Sequence, residues 1–203
     1  MVLGILDMVQ PPTNESIQDQ RSYLTRVNGL TDNEDDLFSA DILELYGIDS
    51  VTKDMETHVE QWAELVGHIA FNIPALAVAA NHTTTKTVLY EFQATNPYQS
   101  WGPGYGKANH AIADIFLLNA APELVPEAQR ADYDGAVKRL QADWIAFCYG
   151  ELDLEPFRVG DKGLGPIYRY GNGGTRSKAE ALEDAVGEDR AAKWKAILSH
   201  CKI

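Results

Sequence analysis

Thr87-Val-Leu-Tyr-Glu-Phe92 limits what this 203-residue chain can fold into more than any other segment. Its β-branched and aromatic residues favour a pleated, buried environment. Helical periodicity precedes it and returns after the loop that follows it, so its pairing partners must come from elsewhere in the chain. The reading is an α/β fold, rich in helix with a few sheet strands, in which Thr87–Phe92 is a buried strand.

The flanking segments support that class. Ser39–Tyr46 reads as a short helix ended by Gly47. Met55, Val59, Trp62, Leu65 and Val66 recur at helical spacing, which predicts an amphipathic helix over Thr52–Gly67. A second apolar helical run, Ile69–Ala80, contains Pro74, which predicts a break or kink. From Pro126 to Tyr149, one stripe joins Tyr133, Val137, Leu140, Trp144, Phe147 and Cys148, so this long helix should lie across a core with Cys148 as a small hydrophobe. Pro166–Tyr170 reads as a strand and Gly171–Gly174 as a tight turn. Ser177-Lys-Ala-Glu180 reads as a capping box opening a last pair of helices. The first thirty residues read as irregular. No repeat or linker divides the chain, so one unit over 1–203 is expected.

Charge and composition exclude some functions. Seventeen basic residues against thirty acidic ones leave a formal charge of −13, a field that repels phosphate backbones, so no nucleic-acid partner is expected. The acidic runs at Asp32–Asp36 and Glu151–Glu155 read as solvated faces. Two cysteines make no disulfide framework. The longest apolar stretch, His68–Ala80, is too short to span a bilayer, so no membrane span is expected. The start has no basic stretch followed by a long apolar one, which leaves the cytoplasm as the default location. GPGYGKA lacks the Ser or Thr and the first Gly of a phosphate loop, and GNGGT lacks dinucleotide-binding spacing. Neither implies a cofactor. His58, His68, His82, His110 and His200 show no metal-binding spacing, so no metal is expected.

His110 stands apart through its context. It lies where the turn-rich loop Asn96–Gly106, which follows a predicted strand, meets the helical run Ile112–Leu118. Catalytic groups are commonly presented on such loops, beyond the carboxyl ends of sheet strands.

Lys107-Ala-Asn-His110-Ala-Ile-Ala-Asp-Ile-Phe-Leu-Leu118 resembles the histidine region of type-B carboxylesterases and cholinesterase-like lipases, especially fungal members. Val88–Phe92 is similar to the family's preceding strand, and Asp143-Trp-Ile-Ala-Phe147 to its helix ending in Trp-x-x-Phe. The resemblance covers about residues 52–170 and implies the C-terminal part of an α/β-hydrolase acting on a small-molecule carboxylic ester. It implies His110 as the catalytic base, which takes the serine proton and returns one to the leaving alcohol. The orienting acid it implies is Glu15, 95 residues earlier in Thr13-Asn-Glu-Ser16, with Glu34, Asp35 and Asp36 as rivals. Trp101, Tyr105 and Phe116 are candidates for lining the pocket or for the core.

The nucleophile is what the chain departs on. Ser16, Ser22, Ser39, Ser50, Ser100, Ser177 and Ser199 all lack the flanking glycines of a G-x-S-x-G elbow, and Ser177 reads as a helix cap. A base without a nucleophile and an oxyanion hole predicts little or no activity for the isolated chain. The alternatives are a non-catalytic binding or adhesion module of the same lineage, or a subunit completed by a partner chain or by self-association through exposed sheet edges. A further alternative is an unrelated α/β domain in which His110 is only a helix-start residue.

Overall fold

A computed structural model describes residues 40–48, 55–82, 86–109, 111–160 and 163–200, and shows mixed helices with a few strands. In chain order the elements are α1 (Ala40–Leu45), α2 (Met55–Gly67), a π-helical turn (His68–Asn72), α3 (Ile73–Asn81), β1 (Leu89–Phe92), α4 (Ile112–Leu118), α5 (Glu127–Cys148), β2 (Arg158–Gly160), β3 (Gly163–Gly165), β4 (Ile167–Tyr170), β5 (Arg176–Ala179), α6 (Leu182–Val186) and α7 (Glu188–His200). They fall into two compact units, Met1–Val78 with Glu188–Ile203, and Ala79–Gly187.

The first unit is helical where it is described. α1 ends as its sequence predicts: Gly47, at φ +68°, donates its N–H to Glu44, and Ile48 donates to Leu43, both at 2.8 Å. These bonds satisfy carbonyls that the helix end would leave open. Pro74 cannot donate a backbone hydrogen bond, and its ring crowds the carbonyl four residues back. The helix answers by widening just before it, with the Ile73 N–H reaching five residues back to the His68 carbonyl. The kink predicted at Pro74 is therefore a π turn, and the helix runs on to Asn81. Its Glu60–Asn81 portion has a mean hydropathy of 1.5 and is, by length and composition, long enough to cross a membrane. The apolar run His68–Ala80 read from the sequence is thus part of a longer apolar helix. Core helices of globular proteins can share this property. Along α7, Ala191, Trp194 and Ile197 are buried at intervals of three, and Lys193 bridges Glu64 at 3.1 Å and Asp189 at 3.0 Å.

The second unit packs helices on a small sheet. β4 is central, parallel to β1 (Leu89 opposite Ile167, Phe92 opposite Tyr170) and antiparallel to β5 (Ile167 opposite Ala179, Tyr170 opposite Arg176). β2 and β3 form a separate antiparallel hairpin. The strand predicted as buried, now β1, is half-buried throughout, because among the described residues it is an edge strand. The buried strand is β4, where Ile167, Tyr168 and Tyr170 are all in the core.

Two predictions over this unit are corrected. Ser177 caps no helix. Arg176–Ala179 is a strand because the turn after β4 folds it back onto that strand, and the next helix begins only at Leu182. The ladder hydrogen bonds outweigh the local capping preference. The stripe on α5 is also divided. Tyr133, Val137 and Leu140 are buried, but Trp144, Phe147 and Cys148 are exposed. A 22-residue helix is about 33 Å long and outruns the core beneath it.

α5 lies close to the turn after β4. A side chain at Gly135 would meet the Gly173 carbonyl oxygen at 2.7 Å, and one at Gly174 would overlap the Gly135 backbone. Gly174 of GNGG is therefore required by contact with a helix as well as by its positive φ.

Candidate functional site at the strand ends

β1 and β4 run parallel, so their carboxyl ends emerge side by side, and the residues just beyond them are joined. Asn172 Oδ1 accepts the Thr95 N–H at 3.0 Å. A crevice of about 220 Å³ opens there. Thr95 and Asn172 form its wall at the strand ends, Tyr105 and Gly106 come from the loop, Phe116 from α4, and Asp132 and Tyr133 from α5. Crevices beyond the carboxyl ends of parallel strands are where α/β sheets bind ligands.

The loop is held at a narrow neck. Asn96 is 1% exposed; its N–H donates to the Lys107 carbonyl at 3.0 Å, and its own carbonyl accepts from Gly106 at 2.9 Å. Its side-chain Oδ1 accepts the Tyr98 N–H at 2.9 Å. The buried Tyr98 hydroxyl donates to the Ala120 carbonyl at 2.6 Å, and Tyr133 donates to the same carbonyl at 3.3 Å. Burial first, then the bond to Tyr98, push the Tyr133 phenol up from its ordinary range, so it stays a protonated donor. Gln129 Nε2 donates to the Tyr105 hydroxyl at 3.0 Å and ties the loop to α5.

His110 and Glu15 lie outside the described residues, as do Glu34, Asp35 and Asp36. The segments flanking His110 are described, and both reach the crevice: Gly106 before it and Phe116 after it. Ile112 donates its N–H to the Asn109 carbonyl at 3.2 Å, drawing the two flanks together. Directly after His110, Ala111 has φ +64° and ψ 1°, the left-handed region. For a residue with a Cβ this conformation costs roughly 1–2 kcal/mol, and such strain concentrates at functional sites.

Of the aromatic candidates, Tyr105 and Phe116 line the crevice, Phe116 while 2% exposed and also part of the core. The side chain of Trp101 lies outside the described set. Sequence reasoning missed Thr95, Asp132, Tyr133 and Asn172. Asn172 was legible only as a turn residue, and Asp132 and Tyr133 only as helix positions. Among the described residues, no group of three or more His, Cys, Asp and Glu side chains is placed to hold a metal ion.

No family model, no curated protein and no solved structure matches this chain.

Proposed function

We propose that the chain is the C-terminal part of a carboxylic ester hydrolase of the type-B carboxylesterase kind, built on an α/β-hydrolase sheet, with His110 as its catalytic base. One observation carries the reading: the crevice at the carboxyl ends of parallel β1 and β4 is bordered by both flanks of His110, with a strained backbone at Ala111. Resemblance of Lys107–Leu118 to the family's histidine region supports it independently. His110 would accept the proton of a serine supplied from outside these 203 residues, and Glu15 would orient the imidazole.

The test uses the protein purified from its source. A fluorophosphonate probe should label a serine in the polypeptide that contains this chain or in one that copurifies with it. Turnover of p-nitrophenyl acetate should fall at least about a thousandfold in His110→Ala. A preparation with no labelled serine and no turnover refutes the proposal, as does turnover that survives the substitution.

A second reading, a subunit completed by a partner chain, is favoured by the edge position and half-burial of β1. The same preparation separates the two, because here the labelled serine resides on a different polypeptide.

A further inference from the structure

Asn96 holds three points of the loop and has one hydrogen-bonding group to spare. Its backbone N–H and carbonyl bind Lys107 and Gly106, and its Oδ1 accepts the Tyr98 N–H. Its side-chain Nδ2 is buried and has no hydrogen-bond partner among the described residues. A buried amide donor left open in this way asks for an acceptor within reach. Gly104 marks the place. A methyl group there would lie 3.4 Å from Asn96 Nδ2 and would collide with the side-chain amide of Asn109, so the two amides converge over a glycine that leaves room for them. Gly104 has no positive φ, and the close approach is what calls for glycine.

The nitrogen end of the Asn109 amide stands nearest the glycine, which sets donor against donor. Turned end for end, a rotation that leaves its shape unchanged, the amide presents Oδ1 to Asn96 Nδ2 and completes the bonding of Asn96. Asn109 directly precedes His110, and its backbone carbonyl accepts the Ile112 N–H at 3.2 Å. We propose that Asn96 is a positioning residue for His110: its Nδ2 donates to Asn109 Oδ1 across Gly104 and fixes the start of the turn Asn109–Ile112 to which the histidine belongs. Thr95 and Pro97, on either side of Asn96, line the crevice, so one residue ties the crevice wall to that turn. The positioning role rests on the reading of His110 as catalytic base; the contact does not.

The test has two arms. In the full chain, isotope-labelled for NMR, Asn109→Ala should speed hydrogen exchange of the Asn96 side-chain amide about tenfold, the factor for one lost hydrogen bond. Asn109→Asp keeps an acceptor in place and should preserve the slow exchange. In the active protein purified from its source, Asn109→Ala should lower kcat for p-nitrophenyl acetate about ten- to a hundredfold with KM nearly unchanged, because a displaced base slows the chemistry and not the binding. Asn109→Asp should recover most of that rate. Gly104→Ala reaches the same contact from the other side, so it should lower kcat as Asn109→Ala does and add nothing further once Asn109 is alanine. Equal exchange rates in the parent and Asn109→Ala overturn the proposal. So do a loss confined to KM, an Asn109→Asp variant as slow as Asn109→Ala, or losses at Gly104 and Asn109 that add. Protection that depends on Asn109 in a preparation without turnover upholds the contact and removes its catalytic role together with the esterase reading, so the two failures are told apart.

Discussion

The Tyr170 hydroxyl donates to Asp143 Oδ2 across 2.7 Å, joining the last residue of the central strand to the long helix that covers it. Burial, and then the bond and charge of Asp143, raise the Tyr170 phenol well above its ordinary range, so it remains a donor. Burial works against the Arg176 charge, but the bond and charge of Asp143 more than offset it.

Tyr170→Phe leaves a buried carboxylate with one bond fewer and should cost about 2 kcal/mol in urea unfolding. Asp143→Ala removes both of these bonds and should cost somewhat more, about 2–3 kcal/mol, with the exposed Arg176 guanidinium returning to water. A Tyr170→Phe variant as stable as the parent would show that this bond contributes nothing.

Gly135→Ala reverses a usual rule. In an ordinary helix interior that exchange gains about 1 kcal/mol. Here the new methyl meets the Gly173 carbonyl oxygen at 2.7 Å, backbone that cannot swing aside. The expected outcome is a net loss of about 2 kcal/mol in chemical denaturation. A gain in stability would mean that the helix and the turn are not in contact.

His68 makes the helical unit sensitive to acid. It is 6% exposed, and its Nδ1 and the Tyr46 hydroxyl are hydrogen-bonded at 2.6 Å. The Trp194 ring packs edge-on at 5.4 Å, and Lys193 lies 5.1 Å from the centre of the Tyr46 ring. Burial first, and then the charges of Arg190 and Lys193, lower the His68 pKa to about 4; Asp189 pulls weakly the other way. In the unfolded chain the value returns to about 6.5. Between those values the unfolded state binds the extra proton. Stability is therefore whole above about pH 6.5 and declines by about 1.4 kcal/mol per pH unit down to about pH 4. Urea titrations at pH 7.5 and pH 5 should differ in this sense, and His68→Gln should flatten the difference.

Ala111→Gly should raise the unfolding free energy by up to about 1 kcal/mol, since glycine adopts φ +64° without the Cβ clash. Under the esterase reading the same change lowers kcat, because the turn beside His110 loses its rigidity. A variant less stable than the parent would show that the Ala111 conformation carries no strain.

Where local rules governed, the residues alone were enough. Gly47 ends α1 because only the next few residues take part in that bond pattern. Pro74 perturbs its helix because the missing donor and the ring clash are local facts, although whether the chain breaks or widens was settled by the helix continuing to Asn81. The helix over Ile112–Leu118 was legible for the same reason.

The amino-acid sequence by itself determined the mixed helical and strand class, the positions of α2, α5 and β4, and the turn at Gly171–Gly174. All of these follow from spacing and backbone chemistry within a few residues. Tertiary structure alone decided that Ser177 belongs to a strand, that β1 is an edge, and that Trp144 and Phe147 lie beyond the core. It also brought Thr95 to Asn172 and Asp143 to both Tyr170 and Arg176. Each outcome rests on partners tens of residues apart, whose pairing energy no local window contains.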